Sequence, residues 1–587
     1  MESKLGMPSS IHRKDVANVE IASLYDQWIH NAIDDPDLKE ELEAIRHQPE
    51  EIADRFYKEL EFGTAGLRGV IGAGTNRMNV YTVRKATQGL ADYVQALTPE
   101  GKVAIAFDSR NKSELFAREA ACVLAANNIQ VYLYAELTPT PMLSFAVRQL
   151  GCQAGIVITA SHNPAQYNGY KAYGSDGCQL SVENSAKVLA YVDKVPMFGG
   201  AKTVAFHEAA ARGRIVFVPD EVIQAYLDAV QRCSVRPVES DLRVVYTPLN
   251  GTGNRPVRAI LKRIGCDHVT VVPSQESPDG NFPTCPYPNP EIRQAFEQAI
   301  ALAESMQPKA DLLLATDPDC DRVGIAVLHE GEYRLLTGND VGAMLLDYIL
   351  SGRKDNGTLP ANPVAVKTIV TSPLADRVAS KYGCQVINVL TGFKYIGEQI
   401  ALLEAEGEEN RFIFGFEESY GYLAGGYVRD KDAVVASMLI CEMASFYKAQ
   451  GKTLVDVVEA LYREHGMILC TQRSYTCEGE AGMQRMNELM ASLRALPPAK
   501  LGGKEVIAVL DYGQSVETNL ETGEETPILL PRSEVLQYRL EDGGNVIVRP
   551  SGTEPKIKAY ITAVGTDRAT AQDMADRLLA DMDVFLS

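Results

Sequence analysis

The residue types most able to do chemistry lie just after an apolar run. Residues 155–158 (GIVI) are apolar and partly β-branched, as in a buried strand, and residues 159–164 (TASHNP) end the run at a proline. The pattern predicts a tight, exposed loop at the carboxyl end of a strand, where open α/β sheets bind ligands. Ser161 lies at the tip beside His162, and Lys171 follows in sequence. A hydroxyl with these neighbours could be a nucleophile or a phosphate carrier, and an ordinary polar turn is the alternative.

Three alternating aspartates form a second candidate site. The predicted strand at residues 312–314 is followed by Asp317, Asp319 and Asp321 in the segment TDPDCDR. In an extended loop alternate side chains share one face, so three carboxylates can converge on a cation, and hard oxygen ligands suit Mg²⁺ or Mn²⁺. An EF-hand is excluded, because Arg322 stands at its sixth position in place of glycine. A solvated acidic loop remains the alternative.

Two further polar segments follow predicted strands. In residues 415–422 (GFEESYGY), Glu417 and Ser419 are two apart and would face the same way, which suits the hydroxyls of a sugar. A phosphate cradle needs a guanidinium, hydroxyls and free N–H groups around a glycine, and these occur in Arg549, Ser551, Gly552 and Thr553. The alternatives are a polar turn for the first segment and a Gly-Pro turn before an edge strand for the second.

A glycine-rich segment lies near the N-terminus. Residues 61–72 (EFGTAGLRGVIG) contain four glycines, with Arg68 among them. Glycines at this density indicate a backbone that turns sharply or that lets another group approach closely. A surface arginine in a loop is the alternative for Arg68.

The order of predicted elements indicates how these residues are positioned. Residues 16–33 and 38–60 have helical apolar spacing, and the second stretch is split at Pro49. Strands then alternate with helices, the first of which is expected to begin at a cap on Ser113. Three strand–turn–helix units predict three related α/β domains with mainly parallel sheets. After about residue 462 the composition shifts, and residues 479–482 are predicted to be a linker.

Composition narrows the functional class. The 587 residues are 46% hydrophobic and 23% charged, as in soluble globular proteins, with a formal net charge of −20. This charge argues against a broad surface for nucleic acid or acidic membranes. No apolar run of membrane-spanning length occurs, and the N-terminus does not resemble a signal peptide. The 11 scattered cysteines predict reduced thiols in a cytosol, with neither a disulfide framework nor a zinc site.

The TASHNP segment resembles the phosphoserine signature of the α-D-phosphohexomutases. Together with the glycine-rich, aspartate, sugar and cradle motifs in the family's order, it makes the chain similar to the phosphoglucomutase/phosphomannomutase superfamily, in its longer phosphoglucomutase branch. The resemblance implies three α/β/α domains with mixed, mainly parallel sheets and a smaller α+β C-terminal domain, around a central active-site cleft. The expected domains are residues 1–213, 214–331, 332–462 and 463–587.

The resemblance also assigns roles to residues. Ser161 would carry the phosphoryl group, and His162, Lys171 and Arg68 would stabilise charge or move protons beside it. A metal ion would be held by Ser161 and the three aspartates. The implied substrate-binding residues are Thr64, Arg322, Thr391, Gly392, Lys394, Glu417, Ser419, Lys431, Arg549, Ser551, Gly552 and Thr553. Members of the family that act as both phosphomannomutase and phosphoglucomutase usually have a histidine shortly after the serine that corresponds to Ser419. Tyr420 and Gly421 stand here instead, which favours the glucose branch and leaves the general acid/base open.

The implied reaction is α-D-glucose 1-phosphate ⇌ D-glucose 6-phosphate through phosphorylated Ser161. Glucose 1,6-bisphosphate would be the intermediate and an activator, with one Mg²⁺ per subunit. We expect a cytoplasmic monomer or homodimer that binds sugar phosphates and neither nucleic acid nor membrane. A phosphomannomutase or phosphopentomutase would share every motif. A metal-dependent phosphatase and a non-catalytic sugar-phosphate sensor are the more distant alternatives.

Overall fold

The protein is described by a computed structural model that covers residues 10–63, 66–238, 241–477, 479–551 and 556–586. The chain forms two compact units. The first unit comprises residues 1–234, 241–326 and 425–441, and the second comprises residues 235–240, 327–424 and 442–587. No helix among the described residues has the length and apolar character needed to cross a membrane. The four domain boundaries named above stay predictions.

Three helices open the first unit. They are α1 (Ser10–Asn31), α2 (Pro36–Ala44) and α3 (Pro49–Phe56), which confirms the helical prediction and the break at Pro49. The Asp35 side chain accepts a hydrogen bond from the Asp37 amide at the start of α2, where Pro36 occupies a position that needs no N–H donor. The buried Trp28 packs edge-to-face against Phe56, so these helices share one core with the sheet that follows.

The first sheet supplies the segment that carries Ser161. Its strands are β1 (Gly66–Val70), β2 (Lys102–Phe107), β3 (Gln130–Leu133), β4 (Ala154–Ile158), β5 (Tyr167–Gly174) and β6 (Ile215–Phe217), in the order β1-β5-β4-β2-β3-β6. The pairs β2–β3, β2–β4 and β3–β6 are parallel, whereas β5 runs antiparallel to both β4 and β1. All five residues of β4 are buried and apolar, as expected of a strand covered on both faces.

Six helices accompany this sheet in sequence: α4 (Val80–Leu97), α5 (Ser113–Ala126), α6 (Thr140–Gln149), α7 (Val182–Val192), α8 (Phe206–Ala211) and α9 (Asp220–Gln231). The predicted cap on α5 is wrong. Lys112, at φ 65°, occupies the cap position, and Ser113 is the first helical residue. The Ser113 hydroxyl instead donates a 2.7 Å hydrogen bond to Asp108, because a buried carboxylate is a stronger acceptor that needs its own donors.

The second sheet positions the aspartates. Within the first unit its order is β10-β9-β7-β8, formed by β7 (Val244–Thr247), β8 (Val269–Val271), β9 (Leu312–Thr316) and β10 (Val323–His329, of which residues 327–329 belong to the second unit). Its helices are α10 (Asn254–Arg263), α11 (Pro273–Glu276) and α12 (Glu297–Ser305). A Cβ atom on Gly251, in the turn after β7, would lie 2.4 Å from Pro318 Cα, so glycine is required where this turn meets the aspartate segment.

The second unit contains a third sheet of similar design. After β11 (Glu332–Leu336) come β12 (Val364–Thr368), β13 (Gln385–Val389), β14 (Phe412–Phe416) and β15 (Tyr422–Ala424), and the sheet order is β13-β12-β14-β15. Strands β13 and β14 run parallel to β12, and β15 is antiparallel to β14. The helices in this part of the chain are α13 (Gly338–Asp355), α14 (Leu374–Ser380), α15 (Phe393–Ala405), α16 (Ala433–Lys448, of which residues 433–441 belong to the first unit) and α17 (Leu454–His465).

The remaining sheet is antiparallel. It comprises β16 (Met467–Thr476), β17 (Lys500–Leu501), β18 (Lys504–Asp511), β19 (Val516–Asn519), β20 (Glu525–Pro527), β21 (Leu536–Leu540), β22 (Asn545–Pro550) and β23 (Lys556–Gly565), in the order β16-β23-β22-β21-β18-β19-β20 with β17 beside β18. Helices α18 (Gly479–Ala495) and α19 (Arg568–Leu586) accompany it. Three mixed sheets with interleaved helices and a separate C-terminal sheet confirm the predicted fold class.

The predicted linker at residues 479–482 is wrong, because these residues begin α18. Gly482 is explained by packing: a Cβ atom there would lie 2.3 Å from the Cys477 carbonyl. The glycine therefore lets the first turn of the helix approach the preceding backbone closely. Elsewhere in the second unit, Val370 and Leu390 form an apolar cluster with Tyr512 and Ile547, which joins the third sheet to the antiparallel sheet.

Candidate active site

Ser161 lies three residues beyond the end of β4, as the strand-end prediction requires. The side chain is only 4% exposed, however, so the prediction of an exposed tip is wrong. Its backbone has φ +53°, a left-handed conformation that an ordinary residue adopts only when its surroundings hold it there. The hydroxyl donates a 2.8 Å hydrogen bond to Asp317 Oδ2, and His162 Nδ1 lies 3.2 Å from the same Oγ.

Arg110 holds the segment that carries Ser161. Its guanidinium is buried at the end of β2 and donates hydrogen bonds to four backbone carbonyls of the segment, those of Ser161, Asn163, Pro164 and Tyr167. The Asp108 carboxylate lies 3.3 Å from Arg110 Nε and balances the charge. The carbonyls of a tight turn need donors when water is excluded, and one planar guanidinium supplies them. Sequence reasoning missed Arg110, although its place after a strand adjacent to β4 is a usable signal.

The three aspartates converge as predicted. One carboxylate oxygen from each lies within 4.8 Å of the others, and all three side chains are buried. The segment is a turn, with Cys320 at φ +53°, and not the extended loop assumed from the sequence. The Cys320 thiol is turned to the side of Gly253, where a Cβ atom would lie 2.9 Å from its Sγ. Burial raises the pKa of this thiol well above its usual range.

Two lysines neutralise part of this negative charge. Lys171 Nζ lies 2.8 Å from Asp319 Oδ2 and 3.6 Å from Asp321 Oδ2, and Lys431 Nζ lies 3.1 Å from Asp321 Oδ2. Burial alone would raise the pKa of Asp319, but the Lys171 ammonium outweighs it and keeps that pKa low. Burial and the neighbouring carboxylates raise the pKa of Asp317 well above its usual range. Three buried carboxylates therefore exceed the positive charge that the lysines supply.

The donor set fits a hard divalent cation. Asp319 Oδ1 and Asp321 Oδ1 are buried and have no hydrogen-bond partner among the described residues. Buried carboxylate oxygens are normally paired or bound to a metal, and an all-oxygen set favours Mg²⁺, Mn²⁺ or Ca²⁺. Asp317, Asp319 and Asp321 are thus the residues that could hold a metal, with the Ser161 hydroxyl beside Asp317.

The other predicted residues near Ser161 have different surroundings. Burial, together with the Arg322 and Arg68 guanidiniums, keeps the pKa of His162 well below its usual range, so this imidazole is neutral at physiological pH. Arg68 lies on β1, with Nη1 3.5 Å from Asn163 Oδ1. Arg322 donates a 2.6 Å hydrogen bond to Glu291. A Cβ atom on Gly66 would lie 1.8 Å from the Tyr170 carbonyl, so glycine is required where β1 meets β5.

The second unit brings together part of the predicted sugar and phosphate residues. The amide of Gly392, at φ +118°, donates a 3.1 Å hydrogen bond to Glu417 Oε1. The neighbouring Thr391 hydroxyl accepts a hydrogen bond from the Arg549 guanidinium, which arrives from β22. The segment after β13, the sugar segment after β14 and the start of the cradle are therefore linked by direct contacts.

Lys394, Ser419 and Ser551 have surroundings of a different kind. The Lys394 ammonium lies 4.9 Å from the centroid of the Tyr395 ring, and burial lowers its pKa. Ser419 lies in the turn between β14 and β15, and the Ser551 amide donates to the Lys556 carbonyl. Thr64, Gly552 and Thr553 lie outside the described residues. The sugar and phosphate contacts of all these residues stay predictions.

Sequence reasoning also left Asp430 without a role. This carboxylate is 1% exposed and contacts Lys431, Tyr173 and Gln179. A useful signal was its place in an acidic–basic alternation, residues 429–432, which begins one short turn after β15 and precedes α16.

Comparison with known proteins relates four stretches of the chain to one family. Family profiles for phosphoglucomutase/phosphomannomutase match α/β/α domain I at residues 59–197, domain II at 224–331, domain III at 337–465 and the C-terminal domain at 514–580. The phosphoglucomutase of Staphylococcus epidermidis is 40% identical over 506 residues, which cover 86% of this chain and 90% of that protein. The phosphoglucomutase of Staphylococcus haemolyticus is 36% identical and covers 90% of this chain and 95% of its own.

Solved structures share the fold. A phosphoglucomutase/phosphomannomutase family protein from Burkholderia thailandensis superposes with a TM-score of 0.64 at 18% identity, over 89% of this chain and 97% of that chain. The Paramecium phosphoprotein pp63/parafusin, a phosphoglucomutase, gives a TM-score of 0.65 at 18% identity, over 90% and 94% of the two chains.

The contacts of Arg110 generate a testable prediction. Arg110→Lys keeps the positive charge, but a single ammonium cannot reach four carbonyls, so the segment should open more often. Hydrogen bonds to charged groups contribute about 1.5–3 kcal/mol each, so we expect hydrogen exchange to accelerate by about tenfold or more. The probes are the Asn163 and Tyr167 amides, which hydrogen-bond within the segment to the Ala160 and Pro164 carbonyls.

The matched control is Arg118→Lys, which alters an arginine on the surface of α5 that pairs with Glu114. Exchange at the two probe amides should not change in this variant. Unaltered exchange in Arg110→Lys would show that the guanidinium does not hold the segment.

Proposed function

The chain belongs to the phosphoglucomutase/phosphomannomutase family, and on that premise we propose that it interconverts α-D-glucose 1-phosphate and D-glucose 6-phosphate through phosphorylated Ser161. The observation that carries the proposal is the buried Ser161 hydroxyl, held in a left-handed conformation 2.8 Å from Asp317. The choice of glucose is supported by relatives named phosphoglucomutases that are 36–40% identical over most of the chain.

The forward step transfers the phosphoryl group from Ser161 to O6 of glucose 1-phosphate. The bond between phosphorus and Ser161 Oγ breaks and a bond between phosphorus and O6 forms; O6 loses a proton and Ser161 Oγ gains one, which gives glucose 1,6-bisphosphate and a free serine hydroxyl. The bisphosphate intermediate then reorients, and its C1 phosphoryl group is transferred to Ser161. In this second step the serine proton has two acceptors within reach, Asp317 Oδ2 at 2.8 Å and the neutral His162 Nδ1 at 3.2 Å.

Charge neutralisation accounts for much of the catalysis of phosphoryl transfer. The Lys171 and Lys431 ammonium groups lie beside the aspartates, where they can offset the charge of the transferring group. Asp317, Asp319 and Asp321 would hold one Mg²⁺, which would further neutralise phosphoryl oxygens when bound. One buried carboxylate oxygen each of Asp319 and Asp321 has no hydrogen-bond partner within the described part of the chain, which supports this assignment.

The remaining predicted residues would supply the sugar and phosphate contacts. Glu417 and Ser419 suit the sugar hydroxyls, and Arg549 suits the phosphate that is not reacting. Thr391, Gly392, Lys394, Ser551, Thr64 and Arg322 would complete these contacts, with Gly552 and Thr553 in the cradle, and Arg68 would stabilise charge beside Ser161. Glucose 1,6-bisphosphate that escapes would leave the enzyme without its phosphate, so added bisphosphate should activate it. A cytoplasmic location and a monomeric or dimeric state stay predictions.

The first prediction from the proposed function concerns the phosphate carrier. Ser161→Ala should lower kcat by about three orders of magnitude or more, because covalent transfer through the hydroxyl is lost. Intact-mass measurement should show a phosphate on the active wild-type enzyme and none on this variant. Ser305→Ala, which removes a surface hydroxyl at the end of α12, should change neither readout. Near-wild-type activity of Ser161→Ala would contradict the proposal.

The second prediction concerns the metal. Treatment with EDTA should abolish activity, and Mg²⁺ should restore it. Asp319→Asn should abolish calorimetric Mg²⁺ binding to the metal-free protein, because it replaces a charged oxygen ligand by a neutral one. Asp228→Asn, at a surface ion pair with Arg263, should bind Mg²⁺ normally. Full activity without divalent cations would rule the metal out.

The third prediction separates a mutase from a phosphatase. A mutase must retain its bisphosphate intermediate, and Arg549 is the candidate for the second phosphate. Loss of such a charged contact costs about 2–5 kcal/mol, or roughly 30- to several-thousand-fold in kcat/KM. Arg549→Ala should lose activity to this extent and release more bisphosphate or inorganic phosphate per turnover.

The matched control is Arg539→Ala, on the adjacent strand β21, where the arginine pairs with Glu517. This variant should isomerise and retain phosphate as the wild type does. If the wild type releases phosphate as fast as it isomerises, and Arg549→Ala changes neither rate, the enzyme is a phosphatase. Initial rates with glucose 1-phosphate, mannose 1-phosphate and ribose 1-phosphate then test the choice of sugar.

A further inference from the structure

Asp430 forms a charge-balanced unit with the lysine that follows it. Its Oδ1 accepts hydrogen bonds from the Lys431 amide at 2.8 Å and from Lys431 Nζ at 3.1 Å. Its Oδ2 accepts from Tyr173 Oη at 2.7 Å and from Gln179 Nε2 at 2.9 Å. A carboxylate has about four lone-pair sites, and these four hydrogen bonds use them. Asp430 is therefore saturated, and it has no oxygen free to join the three aspartates as a metal ligand.

The anchor of Asp430 is rigid. Tyr173 is fully buried near the end of β5, two residues after Lys171, and it forms a backbone bridge with Gln179. The strand that carries Lys171 thus also fixes the carboxylate that contacts Lys431. Lysine has a long, flexible side chain, and a fixed, buried acceptor is what gives its ammonium one position.

Lys431 lies between two carboxylates. Its Nζ is 3.1 Å from Asp430 Oδ1 and also 3.1 Å from Asp321 Oδ2. Any divalent cation held by Asp321 competes with the ammonium for that carboxylate. Asp430 can hold the Lys431 ammonium in place and neutralise it while Asp321 binds the cation. Without Asp430, the ammonium would be drawn further toward the three aspartates, where it would compete with the cation directly.

We infer that Asp430 is a positioning residue: it holds Lys431 to one side of the aspartates, which leaves Asp321 for a divalent cation and the ammonium for a substrate phosphate. The inference rests on the proposed function, because it assumes that the aspartates bind a metal and that Lys431 contacts phosphate. It adds that Asp430 acts on the metal and phosphate sites through Lys431.

The test is a double-mutant cycle with two readouts. Asp430→Asn preserves shape and removes the charge. Loss of an outer-sphere partner of a metal site typically changes metal affinity or activity by about 10- to 100-fold. We expect a weakening of that size in calorimetric Mg²⁺ binding to the metal-free protein, and a comparable loss of kcat/KM for glucose 1-phosphate. Lys431→Met should lose kcat/KM, yet bind Mg²⁺ at least as tightly as the wild type.

The combined variant decides the question. If Asp430 acts through Lys431, Asp430→Asn should have no further effect on Mg²⁺ affinity or on kcat/KM in the Lys431→Met background. A purely structural role would give additive losses in both measurements and would overturn the inference. Tyr173→Phe removes one anchor of Asp430 and should shift both readouts in the same direction by a smaller factor, which keeps the test open if Asp430→Asn folds poorly.

Asp432→Asn is the matched control. Asp432 is a buried carboxylate of the same segment, but it accepts hydrogen bonds from Tyr226, Tyr427 and the first amides of α16. This variant should be less stable and should bind Mg²⁺ as the wild type does. If wild-type protein neither binds Mg²⁺ nor isomerises, the proposed function fails. If it does both, and Asp430→Asn is within twofold of it in each readout, only this inference fails.

Discussion

Three carboxylates buried within reach of one another set the charge balance that the surrounding structure must satisfy. Lys171 and Lys431 each approach an aspartate, but a buried ammonium needs partners of its own, and Asp430 supplies the next negative charge. Asp430 in turn takes hydrogen bonds from Tyr173 and Gln179. Opposite charges therefore alternate from residue to residue. These contacts link β5, the turn after β9 and the segment before α16. Within the first unit, the same contacts stabilise the fold and arrange the reactive groups.

The segment that carries Ser161 is built on a complementary principle. The carbonyl groups of this tight turn need hydrogen-bond donors where water is excluded. The single buried guanidinium of Arg110 donates hydrogen bonds to four of them. Because Arg110 comes from the end of β2, the position of Ser161 depends on the pairing of β2 with β4. Phosphoryl transfer depends strongly on positioning, so a reactive residue held by a rigid sheet suits this chemistry better than a mobile loop.

Much of the fold and of the candidate site was predicted from the sequence, and the predictions that were wrong failed for physical reasons. Alternation of strands and helices gave the three mixed sheets, and the spacing of Asp317, Asp319 and Asp321 gave their convergence. The exposure of Ser161 was misjudged because the residues that bury it come from distant parts of the chain, such as Asp317. Arg110 and Asp430 were missed for the same reason: each has partners in a distant segment of the chain. The linker prediction failed because Gly482 reflects close packing against Cys477, and composition alone does not distinguish that from flexibility.

A cysteine stands between two of the aspartates, and its orientation bears on which ions can compete there. Thiolate sulfur is the donor that attracts zinc and copper most strongly, and it binds them only when deprotonated. Cys320 is fully buried, its Sγ lies on the side of Gly253, and burial raises its pKa, so the thiol stays protonated at neutral pH. The turn therefore presents oxygen to an incoming ion and withholds its sulfur. Metals that prefer sulfur ligands therefore gain no binding affinity from Cys320. Alkylating reagents and oxidants should react slowly with this thiol, because it is buried and protonated.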